Sequence, residues 1–227
     1  MSQFWQRQSR HQQMVWLVGL GILFVAFVFF LELAEDVWLN EGFGWDVTWM
    51  LAIHEWSQPW LDRLFWWITQ TAGTLIVLPV VATAVWFWWH DERGTAVLLM
   101  VSFGGTSLLT SLLKLIFARP RPELFPPLVV ETSYSFPSGH TMSAVAFYGL
   151  LAFILWQRGR RGWAMPFALW VPLIALSRIY LGAHYPSDVL ASLTIGTMWL
   201  VIVWLVYNWP QPIFAWGKLW PTPSRDN

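Results

Sequence analysis

Apolar residues run along this chain in long continuous stretches, not in the one-face alternation of a soluble helix or strand. Six stretches approach the roughly 20 residues needed to cross a bilayer as a helix, at 14–34, 73–90, 95–117, 139–157, 164–182 and 188–207. Polar sequence separates them. The pattern therefore predicts an all-α protein, a six-helix transmembrane bundle. One further region, 44–70, reads differently. In "WDVTWMLAIHEWSQPWLDRLFWWITQ" Trp and Leu positions mix with Asp, His, Glu and Arg over two short segments broken at 57–59. This predicts an amphipathic helical segment lying in the outer membrane interface.

The first apolar run follows "MSQFWQRQSRHQQ" and ends in "LELAEDVW" without the small residues of a cleavage site, which predicts a retained anchor. In the third run, "FGGTSLLTS" places Gly104, Gly105, Ser107 and Ser111 where small side chains permit close helix packing. Neither an internal repeat nor a low-complexity tract interrupts the pattern, so 1–227 is read as one integral membrane domain. Its tail, 208–227, closes on the polar "PTPSRDN", which is expected to be disordered.

Composition agrees with the pattern: 56% of residues are hydrophobic and 11% charged, against about 45–50% apolar in soluble domains. Many of the 20 tryptophans sit near the ends of apolar runs, as interfacial anchors do. The absence of cysteine excludes disulfides, thiolate nucleophiles and zinc–thiolate sites. Thirteen basic and thirteen acidic residues cancel, so no global field favours nucleic acid. Placement of the charges says more. Arg7, Arg10, Arg93, Arg158, Arg160, Arg161, Lys218 and Arg225 all fall on one side if six spans are counted. By the positive-inside rule that side is the cytoplasm, which puts both termini there in a multi-pass plasma-membrane protein. Glu35, Asp36, Glu41, Asp46, Glu55 and Asp62 lie on the other side, with Arg63, Lys114, Arg119, Arg121 and Arg178 as exceptions to the rule. Charges placed against the topology rule need a separate reason.

Three stretches supply one. "KLIFARPRP", residues 114–122, ends the third span. Lys114 and the arginines either reach lipid headgroups or clamp an anion, since a forked guanidinium and a point-charge ammonium together suit a phosphoryl group. "SFPSGH", residues 135–140, precedes the fourth span, where Ser138 as N-cap would leave helix N–H groups free for an anion or simply close the helix beside an interfacial histidine. "SRIYLGAHYPSD", residues 177–188, places His184 before Pro186, which suits the first turn of a helix, with Asp188 four residues after the histidine. A carboxylate there fixes the imidazole tautomer and leaves the second nitrogen free as base or nucleophile, or it makes only a structural bond. Six spans bring all three stretches to one membrane face. Three cations, a helix N-terminus and two histidines with one carboxylate suit a phosphate dianion and not a divalent metal.

These residues resemble the type 2 phosphatidic acid phosphatases, the lipid phosphate phosphatases whose superfamily includes vanadium haloperoxidases. The matching signatures are Lys114 with Arg121-Pro122, then Pro137-Ser138-Gly139-His140, then Ser177-Arg178 with His184 and Asp188. The spacing selects Arg121 over Arg119. The resemblance implies catalytic roles for His184, His140 and Asp188: His184 as nucleophile forming a phosphohistidine, Asp188 holding its ring, and His140 as general acid and then base. It implies that Lys114, Arg121, Ser138, Gly139 and Arg178 bind the phosphate, without metal or cofactor. The implied partners are the bilayer and a lipid phosphate such as undecaprenyl diphosphate, phosphatidylglycerol phosphate or phosphatidic acid. Other readings of the same residues are a phosphotransferase using the same intermediate, a scaffold that has lost catalysis, and a transporter relay through Arg178, His184 and Asp188. The region 44–70 and the loop "ELFPPLVVETSY" are expected to read the rest of the lipid.

Overall fold

The computed structural model describes the backbone of residues 2–39 and 42–207, and side chains from residue 14 onward except residue 15. The expected disorder of the tail lies outside the described residues. All regular structure among the described residues is helical: α1 (Ser2–Trp38), α2 (Gly44–His54), α3 (Pro59–Gln70), α4 (Val77–Trp89), α5 (Arg93–Phe117), α6 (Gly139–Gln157), α7 (Arg161–Tyr180) and α8 (Pro186–Tyr207). Five helical stretches are long and apolar enough to cross a membrane: Trp16–Trp38 of α1, and α5, α6, α7 and α8. The protein is an integral membrane protein of five or six spans.

The second predicted span is irregular at its start. Where the apolar pattern predicts one helix over 73–90, the regular helix is only the 13 residues of α4. At 1.5 Å per residue it reaches about 20 Å, short of the roughly 30 Å hydrocarbon core. Ahead of it the chain turns through Gly73 and the 3₁₀ turn Thr74–Ile76, and α3 joins α4 at a 43° bend. The two form a sixth crossing only if taken together. Two side-chain hydrogen bonds hold the corner, Tyr148 Oη donating to Thr71 O at 2.9 Å and Trp170 Nε1 to Thr71 Oγ1 at 2.9 Å.

Helix α1 packs on α8, α4 on α5, and α6 on α7, while α2 and α3 pack against α7. Small residues set these distances. A methyl group at Gly105 would lie 2.0 Å from the Trp199 ring, and one at Gly196 would lie 2.9 Å from Val145. Of the small residues expected to mediate packing, Gly104 has open space, and Ser107 and Ser111 return their hydroxyls to their own helix. Helix α6 widens into a π turn at Val145–Gly149. There Ser102 Oγ on α5 donates to Ala146 O at 3.1 Å, supplying a carbonyl with a partner where lipid offers none.

Candidate active site

The three sequence stretches meet at one end of the bundle because each lies at a helix end. Helix α5 stops at Ala118, whose φ of 44° is left-handed and whose N–H caps Lys114 O at 3.0 Å. The prolines that follow prevent the helix from resuming. Residues 118–138 then form the α5–α6 loop, tied to its surroundings by Ser135 N to Arg119 O at 2.9 Å and Leu128 N to Leu181 O at 3.0 Å. Helix α7 ends at Tyr180, and a short turn through Gly182 carries His184 into α8, which begins at Pro186 as the sequence predicts.

His184 is 1% exposed. Its Nδ1 lies 3.5 Å from Asp188 Oδ2 and 3.4 Å from Ser135 Oγ, and its Nε2 lies 3.3 Å from Arg121 Nη1. A neutral ring protonated on Nδ1 fits both sides: the N–H faces the carboxylate, and the lone pair on Nε2 faces the cation. Burial, with Arg178 and Arg121 nearby, lowers the imidazole pKa to about 4, although Asp188 pulls it the other way. The ring is therefore neutral near pH 7. Asp188 is fully buried. Its Oδ2 accepts from Ser135 Oγ at 2.5 Å and Tyr185 N at 3.0 Å, and its Oδ1 accepts from Arg119 Nη1 at 2.5 Å.

The remaining predicted groups surround this pair. Arg121 donates from Nε to Ser133 O at 2.7 Å and from Nη1 to Ala183 O at 2.6 Å, which holds the α5–α6 loop against the His184 turn. Lys114 Nζ donates to Tyr134 O and lies within electrostatic reach of Arg121, Arg178, Asp188 and Glu131. Arg178, 1% exposed, donates from Nη1 to Thr69 Oγ1 at 2.7 Å and from Nη2 to Glu131 Oε1, while its Nε is buried with no hydrogen-bond partner among the described residues. His140 Nδ1 stands 3.9 Å from the same Glu131 Oε1, and the ring lies within electrostatic reach of Arg178, His184, Arg121 and Lys114. A methyl group at Gly73 would lie 3.2 Å from His140 Nε2, so the α3–α4 corner backs this histidine.

Ser138 occupies the N-cap position of α6 without capping through its side chain. It is fully buried, its Oγ accepts from Thr141 Oγ1 at 3.1 Å, and its N–H donates to Ser192 Oγ at 2.7 Å. Gly139 opens the helix, with Thr110 the nearest neighbour to a side chain there, at 3.7 Å.

Sequence reasoning singled out none of Asp46, Thr69, Glu131, Ser135 or Ser187 as site residues, and it gave Arg119 no role. Glu131 had a faint signal as the acidic residue in a loop expected to face the lipid. Ser135 and Ser187 had none beyond adjacency to the motifs. Among the described residues, no group of three or more His, Cys, Asp or Glu side chains is arranged to hold a metal ion. Two hollows open onto the site. One, of about 370 Å³, is lined by Trp66, Thr69, Gln70, Glu131, His140 and Arg178 among others. The other, of about 550 Å³, borders Lys114, Leu115, Arg121 and Tyr134 on the flank of α5.

Comparison with known proteins places this geometry. Residues 95–212 match the model of the PAP2 superfamily. The chain belongs to that superfamily. Phosphatidylglycerophosphatase B of Bacillus subtilis (strain 168) is a PAP2 relative 31% identical over 200 residues, covering 82% of this chain and 94% of its own length. Undecaprenyl-diphosphatase BcrC of the same organism is 31% identical over 143 residues, covering 60% of this chain and 69% of its own. The crystal structure of a transmembrane PAP2-type phosphatidylglycerolphosphate phosphatase from Bacillus subtilis superposes with a TM-score of 0.75 at 29% identity, covering 84% of this chain and 98% of that one. These PAP2 relatives are bacterial.

Proposed function

We propose that this protein hydrolyses the terminal phosphate of a membrane lipid through a phosphohistidine at His184, with phosphatidylglycerol phosphate as the favoured lipid. As a PAP2 phosphatase the chain is a hydrolase of lipid phosphates; the substrate and the intermediate are what is proposed here. The observation that carries the reading is the buried guanidinium of Arg178, which together with Lys114 and Arg121 faces two histidines and holds a carboxylate, that of Glu131, where a phosphate would bind. Unbalanced buried cations are costly. An anionic group that exchanges with Glu131 removes that cost, and an oligoanionic phosphate accepts more donors than a carboxylate does. The preference for phosphatidylglycerol phosphate rests on the relative that is similar over almost its full length.

The chemistry follows from the tautomer. The His184 Nε2 lone pair attacks phosphorus as the P–O bond to the lipid breaks, and the proton on His140 passes to the leaving alkoxide. The ring becomes cationic and Asp188 balances it. Water then attacks phosphorus, gives a proton to His140 and breaks the P–N bond, which restores His184. Lys114, Arg121, Arg178 and the Gly139 N–H stabilise charge on the equatorial oxygens throughout, so the fixed cations perform the electrostatic work of phosphoryl transfer.

The site lies at the ends of α5, α6, α7 and α8 opposite Arg93, Arg158, Arg160 and Arg161, where Glu92 and Arg158 pair across two connections. With those arginines cytoplasmic and α3 and α4 taken together as the sixth crossing, both termini are cytoplasmic and the site faces outward.

The test is phosphate release by purified protein in detergent from phosphatidylglycerol phosphate, phosphatidic acid and undecaprenyl diphosphate, with EDTA present and His184→Ala as control. Turnover of phosphatidylglycerol phosphate by wild type alone is expected. Wild-type turnover by the variant would overturn the intermediate, and a strict magnesium requirement would overturn the metal-free site. The pH profile of kcat/KM is expected to fall on its acid side. Its acid limb, where His184 gains a proton and ceases to be a nucleophile, lies below the ordinary histidine value of about 6.5, because burial lowers that ring.

A further inference from the structure

Arg119 sits next to the site, yet its donors are already committed. It is 8% exposed. Nη1 donates to Asp188 Oδ1 at 2.5 Å and Ser187 Oγ at 2.8 Å, Nη2 donates to Asp46 Oδ2 at 3.0 Å, and the guanidinium lies 4.2 Å from the centre of the Tyr185 ring. Asp46, 1% exposed, comes from α2, remote in sequence from every motif. It accepts the Ser187 N–H at 2.8 Å and the Ser187 Oγ–H at 2.5 Å. It thus holds the first turn of α8 as well as the arginine. Burial works against the charge on Arg119, but Asp188 and Asp46 outweigh it, so the guanidinium stays protonated.

We propose that Arg119 and Asp46 are a positioning couple for the nucleophile: Asp46 clamps the guanidinium, the guanidinium fixes Asp188, and Asp188 orients His184. This rests on the reading of His184 as nucleophile. One cation is shared between two carboxylates, so Asp46 takes part of the charge of Arg119 and leaves Asp188 negative enough to balance the imidazolium that forms during attack. A monodentate contact would let the Asp188 carboxylate rotate. Arg119 on one oxygen, with Ser135 and Tyr185 N on the other, prevents it.

The charges that face His184 come from every neighbouring element: Arg121 from the α5–α6 loop, Arg178 from α7, Asp188 from α8 and His140 from α6, with Lys114 of α5 acting on Asp188 and His140. Arg119 reaches the ring only through Asp188. Its removal unmasks the carboxylate, makes His184 easier to protonate and moves the acid limb of kcat/KM to higher pH. Removal of the Asp46 charge does the reverse.

The experiment measures kcat, KM and the pH profile with phosphatidylglycerol phosphate in mixed micelles for wild type, Arg119→Gln, Arg119→Lys, Asp46→Asn and His184→Ala. Titration of the substrate is common to all and cancels in the comparison. Arg119→Gln is expected to raise the acid limb by about one pH unit and to lower kcat by at least about tenfold with KM within about twofold. Arg119→Lys keeps the charge but loses the fork, so kcat falls while the limb stays at the wild-type pH. Asp46→Asn moves the limb down, with a smaller loss of kcat. If Arg119→Gln does not fold, the other two variants decide, together with direct NMR titration of the His184 ring. Limbs that do not move, or that move in one direction for both charge removals, would overturn the couple. A rise in KM at constant kcat would make Arg119 a phosphate ligand instead. Turnover by His184→Ala would fault the nucleophile, a failure distinct from either.

Discussion

The two histidines stand on halves of the site that are built on opposite plans. Around His184 the groups are closed on one another: Asp188 accepts from Arg119, Ser135 and the Tyr185 N–H, and Arg119 is held in turn by Asp46 and Ser187. Around His140 the groups are open. Arg178 keeps an Nε with no partner among the described residues, its carboxylate partner Glu131 is on a loop and 26% exposed at the side chain, and a hollow of about 370 Å³ lies alongside. On the proposed reading of His184 as nucleophile, its ring is oriented in advance, so its geometry costs nothing at the moment of reaction. The half around His140, proposed to bind the phosphate, is completed only by what binds there.

Substitutions that strike each half separately test this contrast. The largest effect is expected from Arg178→Lys, which keeps the charge but cannot serve Thr69 and a phosphate through one planar fork. kcat/KM should fall by about 10²–10³, read from initial rates of phosphate release. A loss below about threefold would mean that the open half needs only a point charge. Next comes Glu131→Gln. If Glu131 holds the place of phosphate, removing its charge should strengthen inhibition by inorganic phosphate about tenfold, equivalent to about 1.4 kcal/mol, whereas weaker inhibition would make Glu131 part of the binding surface. The smallest effect is expected from Gly73→Ala, whose methyl meets His140 Nε2 at 3.2 Å. It should slow lipid phosphate hydrolysis by a few-fold and p-nitrophenyl phosphate hydrolysis less, since that leaving group departs without a proton. Equal slowing of both substrates would place the damage outside proton transfer to the leaving group.

The features legible in the sequence were those carried by local pattern. Long apolar runs located five of the spans, and the opening of α8 followed from Pro186, whose ring suits a first helical turn. The bend in the second crossing was not legible because apolar composition does not distinguish a straight helix from one bent at Gly73, where the corner is held by Thr71, Tyr148 and Trp170 from different helices. In the site, the motif residues stood out because ionisable side chains are costly beside apolar spans and because their spacing resembles that of a known family. Their supports were not. Asp46 reads as one polar position in an amphipathic, aromatic-rich segment, and only the packing of α2 against α7 and α8 brings it beneath Arg119. Glu131 was only faintly marked, since its meaning depends on a loop crossing back over Arg178 and His140.

Gly182 lies in the turn that delivers His184. Its φ is 73°, and a methyl group there would come within 2.7 Å of the Phe125 ring, which is itself stacked on His54 with centroids 3.8 Å apart. Backbone handedness and steric contact thus both reserve the position for glycine. In a saturation scan, position 182 should tolerate substitution as poorly as the histidine two residues away, although glycine has no side chain to take part in the chemistry. Relieving the ring contact alone would restore only part of the loss. Intolerance in this turn therefore measures geometry, and a variant map of the protein would need that correction before its depleted positions are read as chemistry.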